Sequence, residues 1–162
     1  MSDSGHYVIR DATAADGDAL RPLWSALYEH ETKSGMVYRL KPDAFEIWWT
    51  EAKERLGSRF FFLYVVEDTS NGSVTGFFSG KLRRKPPIYE VGFVATVTEI
   101  YVSEQARGHG LAKRMVEHGA NVLRAQGITV FDVVGIAGNA ESQAFWKSVG
   151  WTPEAVQFRL DL

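Results

Sequence analysis

Val97-Thr98-Glu99-Ile100-Tyr101-Val102-Ser103-Glu104-Gln105-Ala106-Arg107-Gly108-His109-Gly110-Leu111-Ala112 is the stretch on which the fold turns. Its first six residues alternate and include β-branched side chains, so they read as a strand. A short polar turn follows, then two glycines one residue apart, then a helical pattern. A strand that runs into a glycine-opened helix leaves several backbone N–H groups unpaired and pointing one way. The helix dipole adds positive potential at the same place. Such a turn suits a phosphate or a pyrophosphate.

Spacing separates the nucleotide folds that use turns of this kind. A Walker loop ends in Gly-Lys-Ser/Thr, whereas here Leu111-Ala112-Lys113 follows the second glycine. A Rossmann fingerprint wants Gly or Ala where Lys113 stands, and strict strand–helix alternation around it. Asp132 lies at a tempting distance for a ribose contact but lacks that setting. The pattern that fits is Gln105-x-x-Gly108-x-Gly110.

Outward from this stretch, the elements do not alternate strictly. His6 to Arg10 reads as a first strand. Thr13 with Asp16 is a capping signal, followed by Leu20, Leu23, Trp24, Leu27 and Tyr28 on one helical face. Pro22 within that pattern means a helix that starts late or is kinked. Asp43 with Glu46 is a second capping signature, ahead of an apolar stripe at Phe45, Trp48, Trp49, Ala52 and Leu56 that Gly57 closes. Phe60–Glu67 and Ser73–Leu82 read as a hairpin, and Arg83–Tyr89 as a basic, proline-bearing loop. The long strand Gly92–Val102 leads to the glycine turn. A helix then runs from Gly108 or His109 to about Gln126, with Gly127 as its cap. Thr129–Ile136 is a strand, Asn139 opens a last helix ending at Gly150, and Val156–Leu162 is expected to close the sheet.

Composition narrows the classes. The chain has 162 residues, 45% of them hydrophobic and 13% aromatic, enough apolar material for one domain spanning 1–162. A net charge of −2 speaks against nucleic acid or an anionic membrane as partner. With no cysteine, disulfides, thiolate zinc sites and a cysteine nucleophile are excluded. Met1-Ser2-Asp3-Ser4-Gly5-His6 has neither the basic nor the apolar region of a leader. The longest apolar run, Phe60–Val66, is too short to span a bilayer. A soluble, cytoplasmic protein is the expectation. His6, His30 and His118 lack metal spacing, so no metal is expected.

A second motif accompanies the first: Asn139, Ser142, Trp146, Gly150 and Trp151 match Asn-x-x-Ala-x-x-x-Tyr-x-x-x-Gly-Phe, with Ser142 in the alanine place and Trp146 in the tyrosine place. Together the two motifs resemble the GNAT superfamily of acetyl-CoA-dependent N-acetyltransferases. The element order resembles that family over essentially the whole chain, whereas the specific motifs begin near Gly92. The resemblance implies a mixed α/β (α+β) architecture, the GNAT acyl-CoA N-acyltransferase fold. Its central mixed sheet would have about six to seven strands, with helices on both faces. It further implies that acetyl-CoA is the co-substrate and that its pantetheine arm lies between the strand ending at Val102 and the strand from Thr129. Backbone groups of Ile100, Tyr101 and Val102 would pair with that arm. The N–H groups of Arg107, Gly108, His109, Gly110, Leu111 and Ala112 would hold the pyrophosphate. Arg107 is either a phosphate ligand or an exposed turn cation, and Asn139 a pantetheine ligand, a helix N-cap, or both.

Acetyl transfer to an alkyl amine needs a base, because such an amine is protonated at neutral pH with a pKa of about 10.4. Glu99 is the candidate. By simple alternation it shares a partly apolar face with Val97 and Tyr101. The competing reading is a solvated or ion-paired glutamate. A backbone N–H of the same strand would meet the oxyanion. Trp146, in the family's tyrosine place, is by the same resemblance a cofactor-binding residue, yet it departs from the family, since an indole cannot protonate a leaving thiolate as a tyrosine would. The leaving thiol has a pKa of about 8.5 and departs without full protonation. The first two helices and their connection, from Trp24 to Trp49, would cover an acceptor cleft rich in aromatic side chains.

The resulting expectation is an N-acetyltransferase acting on a primary amine, in a small molecule or a peptide, by direct attack in a ternary complex. Homodimers are common among similar proteins. Two rival readings are a non-catalytic acyl-CoA-binding sensor of the same fold and a nucleotide-binding protein of another. The basic run from Lys81 to Lys85 reads as a solvated loop or as an attractor of acidic acceptors.

Overall fold

A computed structural model describes residues 4–162; residues 1–3, on which part of the leader reading falls, lie outside the described residues. A 3-10 turn over Ser4–His6 takes the first residue of the expected strand; β1 (Tyr7–Asp11) follows and, after a second 3-10 turn over Ala14–Asp16, α1 (Gly17–Lys33). Thr13 and Asp16 form the expected capping box, in which the Thr13 backbone N–H donates to the Asp16 carboxylate at 2.7 Å. The Arg10 guanidinium donates twice to the same carboxylate at 2.9 Å, and this holds the Asp16 pKa below its ordinary range. Pro22 sits inside α1 without ending it. α2 (Ala44–Arg55) starts after Asp43, whose side chain makes no cap bond; Glu46 pairs with Arg21 of α1. The second capping box is therefore replaced by a tie between helices.

The sheet is built from β2 (Phe61–Asp68), β3 (Ser73–Arg84), β4 (Phe93–Val102) and, after α3 (Leu111–Ala125), β5 (Phe131–Val133). α4 (Ala140–Ser148) is the last helix. The order is β1-β2-β3-β4-β5, antiparallel through β4, with β5 parallel to β4. Alternation along β2 and β3 sorts the core onto two faces. Leu63, Val65 and Phe77 meet Leu20, Trp24, Leu27 and Phe45 of α1 and α2. Phe62, Tyr64, Val66 and Phe78 meet Met115, Leu123 and Trp146 of α3 and α4. Each such side chain contributes about 1.5–3 kcal/mol on burial. α3 lies close on the sheet: a Cβ at Gly119 would stand 2.8 Å from Phe78 Cε1.

The mixed sheet with helices on both faces matches the expected fold, but it has five strands rather than six or seven. β4 carries a bulge, since Ser79 opposes Glu99 while Gly80 opposes Val97, leaving Thr98 as the extra residue. A bulge bends and twists its strand. Pairing with β5 accordingly stops at Val97–Val133, and the strand expected over Thr129–Ile136 shrinks to Phe131–Val133. Val156–Leu162 closes no sheet. Arg159 stands over the Tyr38 ring at 5.1 Å, which takes the tail past the connection between α1 and α2 and off the β5 edge. The basic run is also reassigned, because β3 continues through Arg84. There Arg83 holds the Asp132 carboxylate at 3.1 Å and the Thr96 hydroxyl at 2.6 Å. Asp132 is thus an ion-pair partner within the sheet.

Candidate functional site

Beyond Val97, β4 and β5 part. β3 continues to pair with β4 as far as Val102, opposite Gly76, whereas among the described residues no strand lines the other side of Ile100, Tyr101 and Val102. The bulge thus opens a strand edge beside the glycine turn. An extended ligand carrying amide groups can add to an edge of this kind.

The turn after β4 is anchored by Ala106, buried at the end of a 3-10 turn over Glu104–Ala106. Gly108 (φ 83°) and Gly110 (φ 68°) are both left-handed, and a Cβ at either would meet nothing within 4 Å. Backbone conformation is what requires glycine here. α3 starts on Gly110 with no side-chain cap and no acid in its first turn. Its first N–H groups have no intrahelical acceptor and remain open to an anion. Arg107 is exposed; its Nε donates to the Val102 carbonyl at 3.4 Å and its guanidinium lies 5.8 Å over the Tyr101 ring. His109 Nδ1 is 3.2 Å from the Ala106 carbonyl and its ring packs on Tyr7 at 5.2 Å, so its side chain serves the loop. Leu111 is buried and Ala112 half-buried at the start of α3.

Glu99 is only 7% exposed. Because Thr98 is extra, Glu99 does not share the face of Val97; it turns with Tyr101 toward α1, while Val97 packs against the α3 face. Tyr28 of α1 donates its hydroxyl to Glu99 Oε1 at 3.0 Å, and the fully buried Ser79 donates its hydroxyl to Oε2. Ser79 also meets the Thr98 hydroxyl at 2.9 Å. Among the described residues no cation pairs with Glu99, so two neutral hydroxyls hold a buried carboxyl group. Burial, and then the charge of Glu99, push the Tyr28 hydroxyl well above its ordinary pKa. Tyr28 therefore stays protonated and donating.

Tyr28 also lines a cavity of about 750 Å³ between α1 and the connection to α2, with Trp24, Tyr38, Arg39, Lys41 and Phe45. Glu29 and Glu46 at its rim are engaged by Lys33 and Arg21. Tyr28 thus lines the aromatic cavity while its hydroxyl holds the carboxyl group beside the parted strands.

The two candidates from the last helix both have partners within the chain. Asn139 is a buried N-cap: its Oδ1 accepts from the Ser142 N–H at 3.0 Å and its Nδ2 donates to Glu31 of α1 at 3.2 Å. Trp146 is 7% exposed and packed in the core, its ring 4.5 Å from Trp151. Among the described residues no three His, Asp or Glu side chains converge as metal ligands. No helix of the described residues is long and apolar enough to cross a membrane. Reading the sequence missed Ser79, the Tyr28–Glu99 bond and the bulge. The two residues of that bond lie 71 positions apart, and nothing in the type of Thr98 announces an extra residue.

A mixed sheet parted at its fourth and fifth strands, with a glycine-opened helix at the gap, defines the GNAT acyltransferase fold. The sequence matches the acetyltransferase (GNAT) family over residues 22–151, and the chain belongs to that family. Similar solved structures include a mutant of the BH1408 protein from Bacillus halodurans, with a TM-score of 0.82 at 18% identity, covering 96% of this chain and 99% of that one. A predicted acetyltransferase from Clostridium acetobutylicum, solved with acetyl-CoA, gives 0.74 at 17% identity, with 96% of both chains covered. The aminoglycoside N-acetyltransferase AAC(6')-Iy, solved with CoA, gives 0.76 at 18%, covering 96% of this chain and 95% of that one. At such identities the likeness is one of fold. No curated protein matches the sequence.

Proposed function

We propose that the protein is a cytoplasmic N-acetyltransferase, moving an acetyl group from acetyl-CoA to a primary amine by direct attack in a ternary complex. The observation that carries this reading is the place of Glu99. It is buried where β4 parts from β5, and Tyr28 bridges it to the cavity under the α1–α2 connection. The uncapped start of α3, with Gly108 and Gly110, suits a pyrophosphate, and no acid in its first turn repels one. Arg107 adds charge to phosphates at that point. The open edge at Ile100, Tyr101 and Val102 suits the amides of a pantetheine arm and offers an N–H for the oxyanion. AAC(6')-Iy carries CoA on this fold, and its name specifies an amine acceptor.

In this reading the amine enters past Tyr38 and Trp24 and gives up its proton to Glu99, directly or through Tyr28. In the relay, Tyr28 accepts the amine proton as it passes its own to Oε1, so the phenol stays neutral. The freed amine attacks the thioester carbonyl, and the tetrahedral intermediate expels the CoA thiolate as the C–S bond breaks. The proton shed by the attacking nitrogen passes through solvent to that thiolate. No covalent enzyme intermediate is needed, since the chain has no cysteine and Ser79, which bonds Glu99, is fully buried.

The test is thiol release from acetyl-CoA across a panel of primary amines, with Glu99→Gln beside the native chain. A base at Glu99 is worth about 10²–10⁴-fold, so kcat falls by at least that lower figure while acetyl-CoA affinity holds. An unchanged pH–rate profile in Glu99→Gln contradicts the assignment. A second reading, an acyl-CoA-binding module without turnover, is favoured by Trp146, which stands in the tyrosine place and is packed into the core. It predicts tight acetyl-CoA binding and no thiol release with any amine.

A further inference from the structure

The cavity that Tyr28 lines is uneven in burial and in charge. Trp24 and Phe45, each 5% exposed, form its floor, with the Trp24 ring 4.3 Å from Tyr28 and 5.6 Å from Phe45. Its mouth is the connection between α1 and α2, where Tyr38, Arg39, Leu40 and Lys41 are all exposed. Both acids that line the cavity are already engaged. Glu29 accepts from Lys33 at 2.7 Å, and Glu46 pairs with Arg21, whose guanidinium also lies 4.4 Å from the Phe45 ring. Arg39 and Lys41 have no ion pair among the described residues. Behind the floor the sign is reversed: the Tyr28 hydroxyl holds the Glu99 carboxyl group, and the charge of Glu31 also bears on that hydroxyl. The cavity therefore has negative charge behind its inner wall, aromatic side chains along its length, and uncompensated positive charge at its mouth.

We propose that the acceptor is a primary amine that also carries an oxyanion, a carboxylate or a phosphate, at the far end of an aromatic or apolar body. Its amine lies toward Tyr28 and Glu99, and its oxyanion between Arg39 and Lys41. This rests on the acetyltransferase reading for the fate of the amine, though not for its binding. A cavity of about 750 Å³ has room for such a body. A guanidinium offers paired N–H donors to either oxyanion, and the neighbouring ammonium adds a point charge. An acceptor with a second ammonium group in place of the oxyanion would set like charges together at the mouth.

Amines of one size test it: tyramine, O-phosphotyramine, para-carboxyphenethylamine and para-aminomethylphenethylamine. Each is titrated calorimetrically into the full chain with CoA present, and thiol release from acetyl-CoA is followed in parallel. The better of the two anionic amines is expected to bind about tenfold tighter than tyramine, and the diamine more weakly than tyramine. Raised salt narrows these gaps, and the tighter of the two anions tells a carboxylate from a phosphate acceptor. Arg39→Gln combined with Lys41→Gln alters only exposed side chains without ion pairs, so the fold persists by circular dichroism. In that variant the preference for an anion over tyramine is expected to shrink to about twofold. Tyramine or the diamine binding as tightly as either anionic amine overturns the proposal. So does a preference that survives the double substitution, or a native chain that binds none of the amines. Selective binding of an anionic amine without thiol release supports the selection and contradicts the acetyltransferase reading, so the two fail separately.

Discussion

α4 starts on Asn139, whose Oδ1 accepts from the Ser142 N–H, with Glu141 in its first turn; α3, on the same face of the sheet, starts on Gly110 with neither a capping side chain nor an acid. α1 continues from a 3-10 turn whose entry Thr13 and Asp16 close with a capping box, although Asp16 makes no cap bond to α1 itself. Every helix start has N–H donors that need acceptors. α4 satisfies one of its donors with a side chain of its own, and a cap of that kind is worth about 1 kcal/mol. α1, α2 and α3 have no such cap, but α1 and α2 carry an acid in the first turn; α3 has neither, and it starts where the strands also part. Its open donors make sense as a receptor for an anion that the chain does not itself supply.

Three substitutions sharpen or break this contrast. Gly108→Glu has the largest expected effect. It sets a carboxylate against the bound phosphates and a side chain on a left-handed backbone at φ 83°, so acetyl-CoA affinity falls at least about 100-fold, or ~2.7 kcal/mol. Gly108→Ala is its control, with room for the Cβ and a strain of about 1–2 kcal/mol. Undiminished binding in a folded Gly108→Glu chain means that the loop has been misassigned.

Asp16→Asn comes next and acts on stability. Losing the Arg10 pair and the charged end of the capping box costs about 1–2 kcal/mol, a Tm fall of about 2–8 °C at neutral pH. The pKa of Asp16 is lowered in the fold from 3.8, chiefly by the Arg10 hydrogen bonds. Its contribution is therefore present above that value and lost as pH drops through the folded-state value below it. Melting curves from pH 7 to pH 3 are expected to show the gap between native and variant closing only below about pH 4. A gap that persists in acid means that the pair is not what Asp16 contributes. Asn139→Ala, the smallest, removes a cap worth about 0.5–2 kcal/mol and leaves the Glu31 side chain without its amide donor. It lowers Tm while leaving the dissociation constant for acetyl-CoA within about twofold. A large loss of affinity instead makes Asn139 a ligand as well as a cap.

These contrasts were unequally visible in the sequence. Thr13 with Asp16, Asn139 with Ser142, and Gly108 with Gly110 are local patterns, in which residue type at short spacing dictates backbone geometry, and all three hold in the structure. Asp43 with Glu46 had the same local signature, yet Glu46 pairs across to Arg21 because a helix packed nearby offers a stronger partner than a backbone N–H. Simple alternation put Glu99 on the face of Val97; the extra residue Thr98 reverses that parity and aims the carboxyl group at Tyr28. Ser79 has no local pattern, because its role arises only from pairing across β3 and β4. The tail at Val156–Leu162 has the composition of a strand, but Arg159 stands over Tyr38 and the tail joins no strand of the described residues.

The central claim is that the uncapped start of α3 receives the pyrophosphate of acetyl-CoA. Isothermal titration of the native chain with acetyl-CoA, with ATP and NAD as controls, tests it most directly. Selective micromolar binding of acetyl-CoA, unaffected by either control, is the predicted result. No heat of binding in a chain shown to be folded, or saturable ATP or NAD binding without competition from CoA, contradicts it.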